Sequence, residues 1–507
     1  MIKTIPQLIA HQAKVHPDGI AFREVNRAIT YQKIYEETLS IATVLSSYQK
    51  KNNPIVIFLD KGIACLSSMF AIMTSGNFYT VLDVAMPADR ILSICKTLEP
   101  FAVITDKKTF AKAKSIGFPQ DILLYEDMVM QDPDREVLAR IEDTMIDTDP
   151  AYALFTSGST GIPKGTVVSH RSVLSYATWV CETFAINEHT VFGNQTPFYF
   201  SMSVLDIYAT LYSGATLCIV PKMYFSFPAK LMQYLNEVKV NTIYWVPSAL
   251  CIVADLKVLD VLLPKYLEKI LFAGEVMPMK QLNIWRSHLP HALYANLYGP
   301  TEVTDICTYY IVNREFRDDE HLPIGRPCNN CDVFLLKDDG TRATLHEEGE
   351  ICVRGSFLAS GYYNEPEKSA EVFVQNPLQP HYHELIYRTG DIGRYNEYGE
   401  LLYVSRRDHQ IKHMGYRIEL GEVEHAFQIM DGMGNVACIY DDRKQEIVCF
   451  YQSERYDVEE LRMQAEKKLP RYMRPNVIRK VAKIPHNANG KIDRVQLKKQ
   501  YEEEKEK

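Results

Sequence analysis

The sequence predicts an α/β protein in two parts: a large N-terminal domain of doubly wound sheets carrying a small barrel-like subdomain, and a small α+β C-terminal domain. Three observations predict it. Strand-sized apolar runs alternate with amphipathic helical stretches over residues 4–150, the rhythm of parallel strands joined by crossover helices. From about residue 321 the texture changes to short runs bounded by turn residues, DVFLLKDDG, GEICVRG and GELLYVSRRD, which reads as an antiparallel or barrel-like subdomain. From about residue 409 a compact unit mixes helical and strand patterns. The boundaries expected are 1–404 for the N-terminal core, with its subdomain at about 321–404, and 405–507 for the C-terminal domain.

Each element has a local cause. Ile5–Val15 is amphipathic at helical spacing, with Pro6 in the first turn, where its missing N–H does no harm. Ile55–Leu59 is a strand, Gly62–Met73 a helix, Tyr79–Val84 a strand, Ala88–Leu98 a helix and Phe101–Thr105 a strand. The rhythm resumes with a helix at Val204–Leu211, a strand at Thr216–Val220, a helix at Pro228–Val238 and strands at Thr242–Val246 and Ile270–Phe272. In the C-terminal part, Glu422–Ile429 and Val458–Leu469 are helices, while Val436–Tyr440 and Ile447–Tyr451 are strands.

Between the two α/β stretches lies Leu154–His170, LFTSGSTGIPKGTVVSH. Thr156, Ser157, Gly158, Ser159, Thr160 and Gly161 follow one another without a bulky side chain, then Pro163, Lys164 and a strand-like run at Thr166–Val168. Glycines let the backbone come close to a ligand, and hydroxyls, free N–H groups and one lysine make a concavity for polyphosphate. It is not a Walker loop, because GxxxxGK[ST] would need glycine where Pro163 stands.

Composition narrows the class. The chain has 507 residues, 46% of them hydrophobic and 24% charged, enough for two to four domains with a full core. A net charge of −8 argues against nucleic acid or an anionic membrane as the main partner. No apolar run approaches a membrane span, and MIKTIPQLIAHQAK lacks the apolar core of a signal peptide. The 11 cysteines stand singly in apolar settings, which suits a reducing cytosol. Cys328 and Cys331 form the one CxxC; with no second pair or nearby histidine it reads as structural rather than as a zinc site. The sequence carries no sign of oligomeric state.

Four more stretches bear chemistry. NLYGPTE (Asn296–Glu302) groups an amide, an aromatic face, a Gly-Pro turn and a hydroxyl–carboxylate pair; Glu302 beside phosphates suits Mg²⁺, a hard ion that prefers oxygen. YRTGD ends in Asp391, a carboxylate placed to accept both hydroxyls of a ribose. SRRDHQIKHMGYRIELGEVE (Ser405–Glu424) mixes cations with glycines at the domain boundary. NANGKIDR presents Lys491 just after an Asn-Gly turn.

Together with AITYQKIYEET, TSGNFYTVLDVAMPADRI, FYFSMSVLDIYATLYSGATL and PIGRPCNNCDVFLLKDDG, these stretches resemble, in order and over nearly the whole chain, the adenylate-forming superfamily. The closer resemblance is to amino-acid adenylation domains of nonribosomal peptide synthetases and to free-standing D-alanine–carrier-protein ligases. It implies a fold whose C-terminal domain is mobile, and it implies ATP and Mg²⁺. Thr156–Lys164 would close over the β,γ-phosphates. Asn296, Tyr298 and the backbone at Ala273, Gly274 and Glu275 would hold adenine. Thr301 would touch the α-phosphate, Glu302 Mg²⁺, and Asp391 the ribose, with Arg406 beside it. Lys491 would bridge the substrate carboxylate and the α-phosphate, and Asp408 would be the hinge. The implied reaction is activation of a carboxylic acid as acyl-AMP, then transfer to the phosphopantetheine thiol of a separate carrier protein, since no carrier motif follows NGKIDR. An acyl- or aryl-CoA ligase is the alternative. Asp408 and GYRIELGEVE favour the carrier protein.

The resemblance places Phe200, Ser201, Met202, Leu205, Ser248, Leu271, Ala273, Leu297, Asp305 and Ile306 around the acid. Amino-acid-activating relatives usually carry Asp at the position of Ser201, to pair with the α-ammonium. Asp305 is the sole carboxylate in this set. Two readings stand: Asp305 takes over an ammonium, or it bonds a hydroxyl of an aryl, hydroxy or keto acid. The first is preferred, because an ionised buried carboxylate calls for a cation.

Overall fold

The computed structural model describes residues 2–158, 163–407, 410–485 and 492–505. They divide into two compact units, one of residues 1–84, 98–154 and 165–407, the other of residues 85–97, 155–164 and 408–507.

The first unit is built on two large sheets. A nine-stranded sheet runs in the order Arg326–Pro327, Thr308–Ile311, Leu293–Tyr298, Lys269–Ala273, Thr242–Trp245, Val191–Asn194, Thr216–Ile219, Ile20–Arg23 and Ala28–Thr30. Its middle pairs are parallel and its two ends antiparallel. A seven-stranded sheet centres on Pro54–Ile57 and Phe78–Val81, both buried along their whole length. Parallel strands covered on both faces read as unbroken apolar runs, which is why PIVI and FYTV lack alternation. Helices between them supply the cover. The helix Tyr31–Ser46, absent from the predicted elements, begins at Thr30, whose hydroxyl accepts the N–H of Lys33 and satisfies an orphan donor of the first turn.

The region expected to be antiparallel holds Cys331–Leu336, Glu348–Gly355, Leu385–Tyr395, Phe373–Gln375 and Leu401–Arg406, all paired antiparallel. Leu385–Tyr395 is the long strand of this sheet and carries Asp391.

In the second unit a hairpin, Gln410–His413 with Tyr416–Glu419, leads into the helix Leu420–Gln428. A three-stranded sheet follows: Val436–Asp441, Glu446–Tyr451 and Val477–Lys480. Val436, Cys438 and Tyr440 face one apolar cluster, Ala437 and Ile439 another, so both faces are buried. Helix Val458–Lys468 packs on the first cluster and begins with a full capping box from Asp457 and Glu460.

Candidate functional site

The strand Leu293–Tyr298 delivers Asn296 and Tyr298 to its C-terminal end, and the chain then turns sharply. Gly299 makes the turn possible: a Cβ there would lie 2.3 Å from the carbonyl oxygen of Asp305 and 2.6 Å from the Cα of Ile306. No side chain fits, so the glycine of YGPTE is a packing requirement. Thr301, Glu302 and Val303 form one 3-10 turn.

Thr304 then adopts φ 73 and ψ −55, with Asp305 N–H donating to the Val303 carbonyl at 2.9 Å. That is a γ-turn of the rarer, strained hand, held by a β-branched residue. The surroundings enforce it. Thr304 is fully buried, its hydroxyl donates to Phe357 O at 2.8 Å, and Tyr152 donates to its carbonyl at 3.4 Å. The turn is what separates the direction of Glu302 from that of Asp305.

Glu302 is fully buried, and Oε1 accepts the hydroxyl of Tyr362 at 2.7 Å. Asp391 is fixed on both oxygens: Arg406 Nη1 donates to Oδ1 at 2.6 Å, and the Tyr298 hydroxyl donates to Oδ2. Arg406 also reaches Thr389 O at 3.2 Å. Asn296 donates to Pro323 O at 2.9 Å. Glu275 accepts the backbone N–H of Ser248 at 2.8 Å and so caps the first turn of Pro247–Asp255, while Gly274 turns at φ 92.

The residues expected around the acid come together as well. Leu271 pairs in register with Tyr244, and Ala273 with Leu297, so one face of the nine-stranded sheet carries this apolar wall. Met202, Leu205, Leu271, Ala273, Leu297 and Ile306 are all buried. Ser201 opens the helix Met202–Ser213 in helical conformation without capping it, and its Oγ accepts from Thr301 Oγ1 at 3.1 Å. Phe200 packs against Tyr199 at 4.9 Å between ring centres.

Asp305 is 2% exposed, and Oδ2 accepts hydroxyls from Tyr176 at 2.8 Å and Tyr244 at 3.1 Å. Burial pushes its carboxyl up to about 8, against the opposing pull of the Tyr176, Tyr244 and Ser201 hydroxyls.

The glycine loop falls in the second unit. Ser157 Oγ donates to Arg417 O at 2.9 Å and accepts Glu419 N–H at 3.1 Å. The sheltered Thr156 hydroxyl makes no hydrogen bond among the described residues. Ser159, Thr160, Gly161, Asp408 and Lys491 lie outside the described residues.

Sequence reasoning did not single out Tyr362, Tyr176 and Tyr244. A signal existed for Tyr244: a tyrosine inside a strand buried throughout must find a partner for its hydroxyl. It also passed over Lys61, whose Nζ donates to Asn194 O and Gln195 O, both at 3.1 Å. Asn194 in turn donates to Asp206 Oδ2 at 2.6 Å. Burial lowers the lysine and raises the carboxyl. This network anchors both ends of the segment that bears Phe200 and Ser201.

The chain belongs to the AMP-binding enzyme family, whose profile matches residues 9–363. Within it the chain is similar to tyrocidine synthase 1 of Brevibacillus parabrevis, 30% identical over 500 residues that cover 98% of this chain and 45% of that protein. It is equally similar to the D-alanine–D-alanyl carrier protein ligase of Bacillus cytotoxicus, 30% identical over 509 residues covering 95% and 96% of the two chains. The chain thus spans less than half the length of the synthetase. The fold matches that of the Vibrio cholerae adenylation domain AlmE, solved with glycyl-adenosine-5'-phosphate, at a TM-score of 0.83 and 22% identity over 98% of each chain. Among the described residues no helix is long and apolar enough to cross a membrane.

Proposed function

We propose that this protein activates a carboxylic acid with ATP, releasing pyrophosphate and forming an acyl-adenylate, and then passes the acyl group to the phosphopantetheine thiol of a separate carrier protein. The observation that carries the reading is the double tethering of Asp391 by Arg406 and Tyr298, directly beside the turn that bears Thr301 and Glu302. A carboxylate so fixed is pre-oriented for the hydroxyls of a ribose. Tyr298 and Asn296 would then lie along the adenine, and Thr301 at the α-phosphate.

The chemistry is a problem of charge. A carboxylate oxygen must attack an α-phosphorus surrounded by negative oxygens, so both partners need neutralising and alignment. Glu302 fits Mg²⁺: it is fully buried, one of its oxygens accepts from Tyr362, and the described residues offer no cluster of three metal-binding side chains. Mg²⁺ needs no protein cage when phosphate oxygens and water complete its shell, and it would supply charge neutralisation at the phosphates. Thr156 keeps a hydroxyl for a phosphate oxygen. Lys491 would bridge the two reacting groups and Asp408 would be the hinge, as the family resemblance implies.

Loading of a carrier-protein thiol is favoured over coenzyme A by a relative at 30% identity that is covered over 96% of its length, a carrier protein ligase. Nine of the 11 cysteines are buried, which suits structural thiols in a reducing, cytoplasmic setting. The test is acid-dependent exchange of labelled pyrophosphate into ATP, followed by a comparison of coenzyme A with a phosphopantetheinylated carrier as acceptor. Lys491→Ala should cut exchange at least about a hundredfold, as for loss of one transition-state donor. Undiminished exchange in that variant, or none with any acid, overturns the reading.

A further inference from the structure

Away from the nucleotide and acid residues, the strongest charge feature is a run of cations in the second unit. Residues 467–483, KKLPRYMRPNVIRKVAK, hold seven lysines and arginines and no aspartate or glutamate, in a chain whose net charge is −8. Four of the seven are engaged within the unit. Lys468 Nζ donates to Ala426 O at 3.0 Å, Arg474 lies 3.9 Å from Glu466, Lys480 lies 3.8 Å from Glu454, and the Arg479 guanidinium sits 4.7 Å from the Tyr501 ring centre. Lys467 and Arg471 are exposed, and among the described residues no carboxylate pairs with either.

These two cations are presented by a braced piece of backbone. In the helix Val458–Lys468, Leu461 and Ala465 are buried, which turns Met463 and Lys467, one turn apart, to the opposite, exposed face. Arg474 folds back on the end of that helix: Nε donates to Leu469 O at 3.1 Å and Nη2 to Glu466 O at 3.2 Å. Arg471 opens the 3-10 turn Arg471–Met473, and its neighbour Tyr472 stacks on Tyr416 of the hairpin with ring centres 3.7 Å apart. The negative end of the helix macrodipole accounts for Lys467. It does not account for Arg471, which lies past the helix end. Unpaired cations beside an exposed methionine, on a turn held from two sides, make a rigid surface for a partner of negative charge.

We propose that the face bearing Met463, Lys467 and Arg471 docks the carrier protein, through an acidic patch beside its phosphopantetheine arm. The inference rests on the proposed transfer to a carrier thiol and adds where that partner is held. The arm is joined by a phosphodiester, so the partner brings negative charge close to its thiol. A chain that is net negative repels an acidic carrier over most of its surface. Opposite charge confined to one face then speeds the encounter and fixes its orientation. A membrane or a nucleic acid would bring an extended negative surface against the acidic remainder of the chain, whereas a small carrier meets one face alone.

The experiment uses the full chain, a small phosphopantetheinylated carrier protein and free pantetheine, with acid-dependent pyrophosphate exchange reporting the first half-reaction. Arg471→Glu should lower kcat/KM for the carrier about tenfold at low salt, and Lys467→Glu combined with Arg471→Glu about a hundredfold, both through KM. The loss should shrink toward about 1 M salt, where the screening length is about 3 Å. Exchange and transfer to free pantetheine should stay unchanged, and replacing acidic residues of the carrier by lysine should restore the rate of the Arg471→Glu enzyme. Lys265→Glu, the same change of charge at an exposed position of the first unit, should have no effect. An unchanged KM for the carrier in the double variant, an equal loss in Lys265→Glu, or an equal loss with free pantetheine each overturns the inference while leaving adenylation intact. Retention on anionic vesicles or on nucleic acid that the double variant loses, with carrier transfer unaffected, assigns the face to that partner and overturns it as well. No exchange with any acid removes the proposed reaction, and coenzyme A as sole acceptor removes its carrier step; the inference falls with either.

Discussion

The hydroxyl of Tyr362 donates to Oε1 of Glu302 at 2.7 Å, joining residues 60 positions apart. A carboxylate proposed to hold a hard cation is thereby fixed from outside the YGPTE turn. Partners of this kind orient metal ligands, and their loss typically weakens metal affinity ten- to a hundredfold. Tyr362→Phe should accordingly raise the Mg²⁺ concentration for half-maximal pyrophosphate exchange about tenfold, with a smaller change in the KM for ATP. An unchanged Mg²⁺ requirement would remove Glu302 from the metal's environment.

Lys61 holds the carbonyls of Asn194 and Gln195, just ahead of the segment that carries Phe200 and Ser201. Lys61→Met keeps the bulk and removes the donors. Since the anchored segment is proposed to line the acid rather than the nucleotide, the KM for the acid should rise about tenfold while the KM for ATP moves little. Equal losses in both would mean that the lysine supports the fold in general.

Thr304 gives a test of backbone strain. A residue held at such a conformation costs on the order of 1–3 kcal/mol, and glycine avoids most of that. Both Thr304→Ala and Thr304→Gly lose the hydrogen bond to Phe357 O, but only alanine keeps the strained backbone. Thermal unfolding should therefore rank the glycine variant above the alanine variant by about 1 kcal/mol. The reverse order would show that the turn carries no strain.

The raised carboxyl of Asp305 also has a sign in stability. Its folded value, about 8, lies above its ordinary 3.8, so between those values the native state binds the extra proton. This contribution is fully present below about pH 4 and is lost as pH rises through about 8. Asp305→Asn removes the titration, and the substrate-free variant should gain on the parent chain as pH is raised from 5 to 9. Parallel pH profiles of unfolding for the two proteins would refute this.

Much of the architecture was open to reading before any coordinates. Ala88–Leu98 is a helix at both ends as expected, and Val458–Lys468 differs from expectation by one residue, because helical spacing and its caps are local properties. Other elements escaped. The short strand Ile20–Arg23 has little pattern of its own and exists because it pairs with Thr216–Ile219 far along the chain. The helix Tyr31–Ser46 had its signal in the Thr30 cap.

For the site the division is similar. The sequence by itself determined which loops are proposed to carry chemistry, since Gly299, Thr301, Glu302 and Asp391 belong to short contiguous motifs whose spacing is chemically specific. Only the tertiary structure decided what holds them. The hydroxyls on Glu302 and Asp305 come from residues 60, 129 and 61 positions away, and no local pattern records them. A buried carboxylate takes its orientation and its charge state from whatever the fold packs against it. Those neighbours are set by the order of strands in a sheet, which sequence spacing leaves unstated.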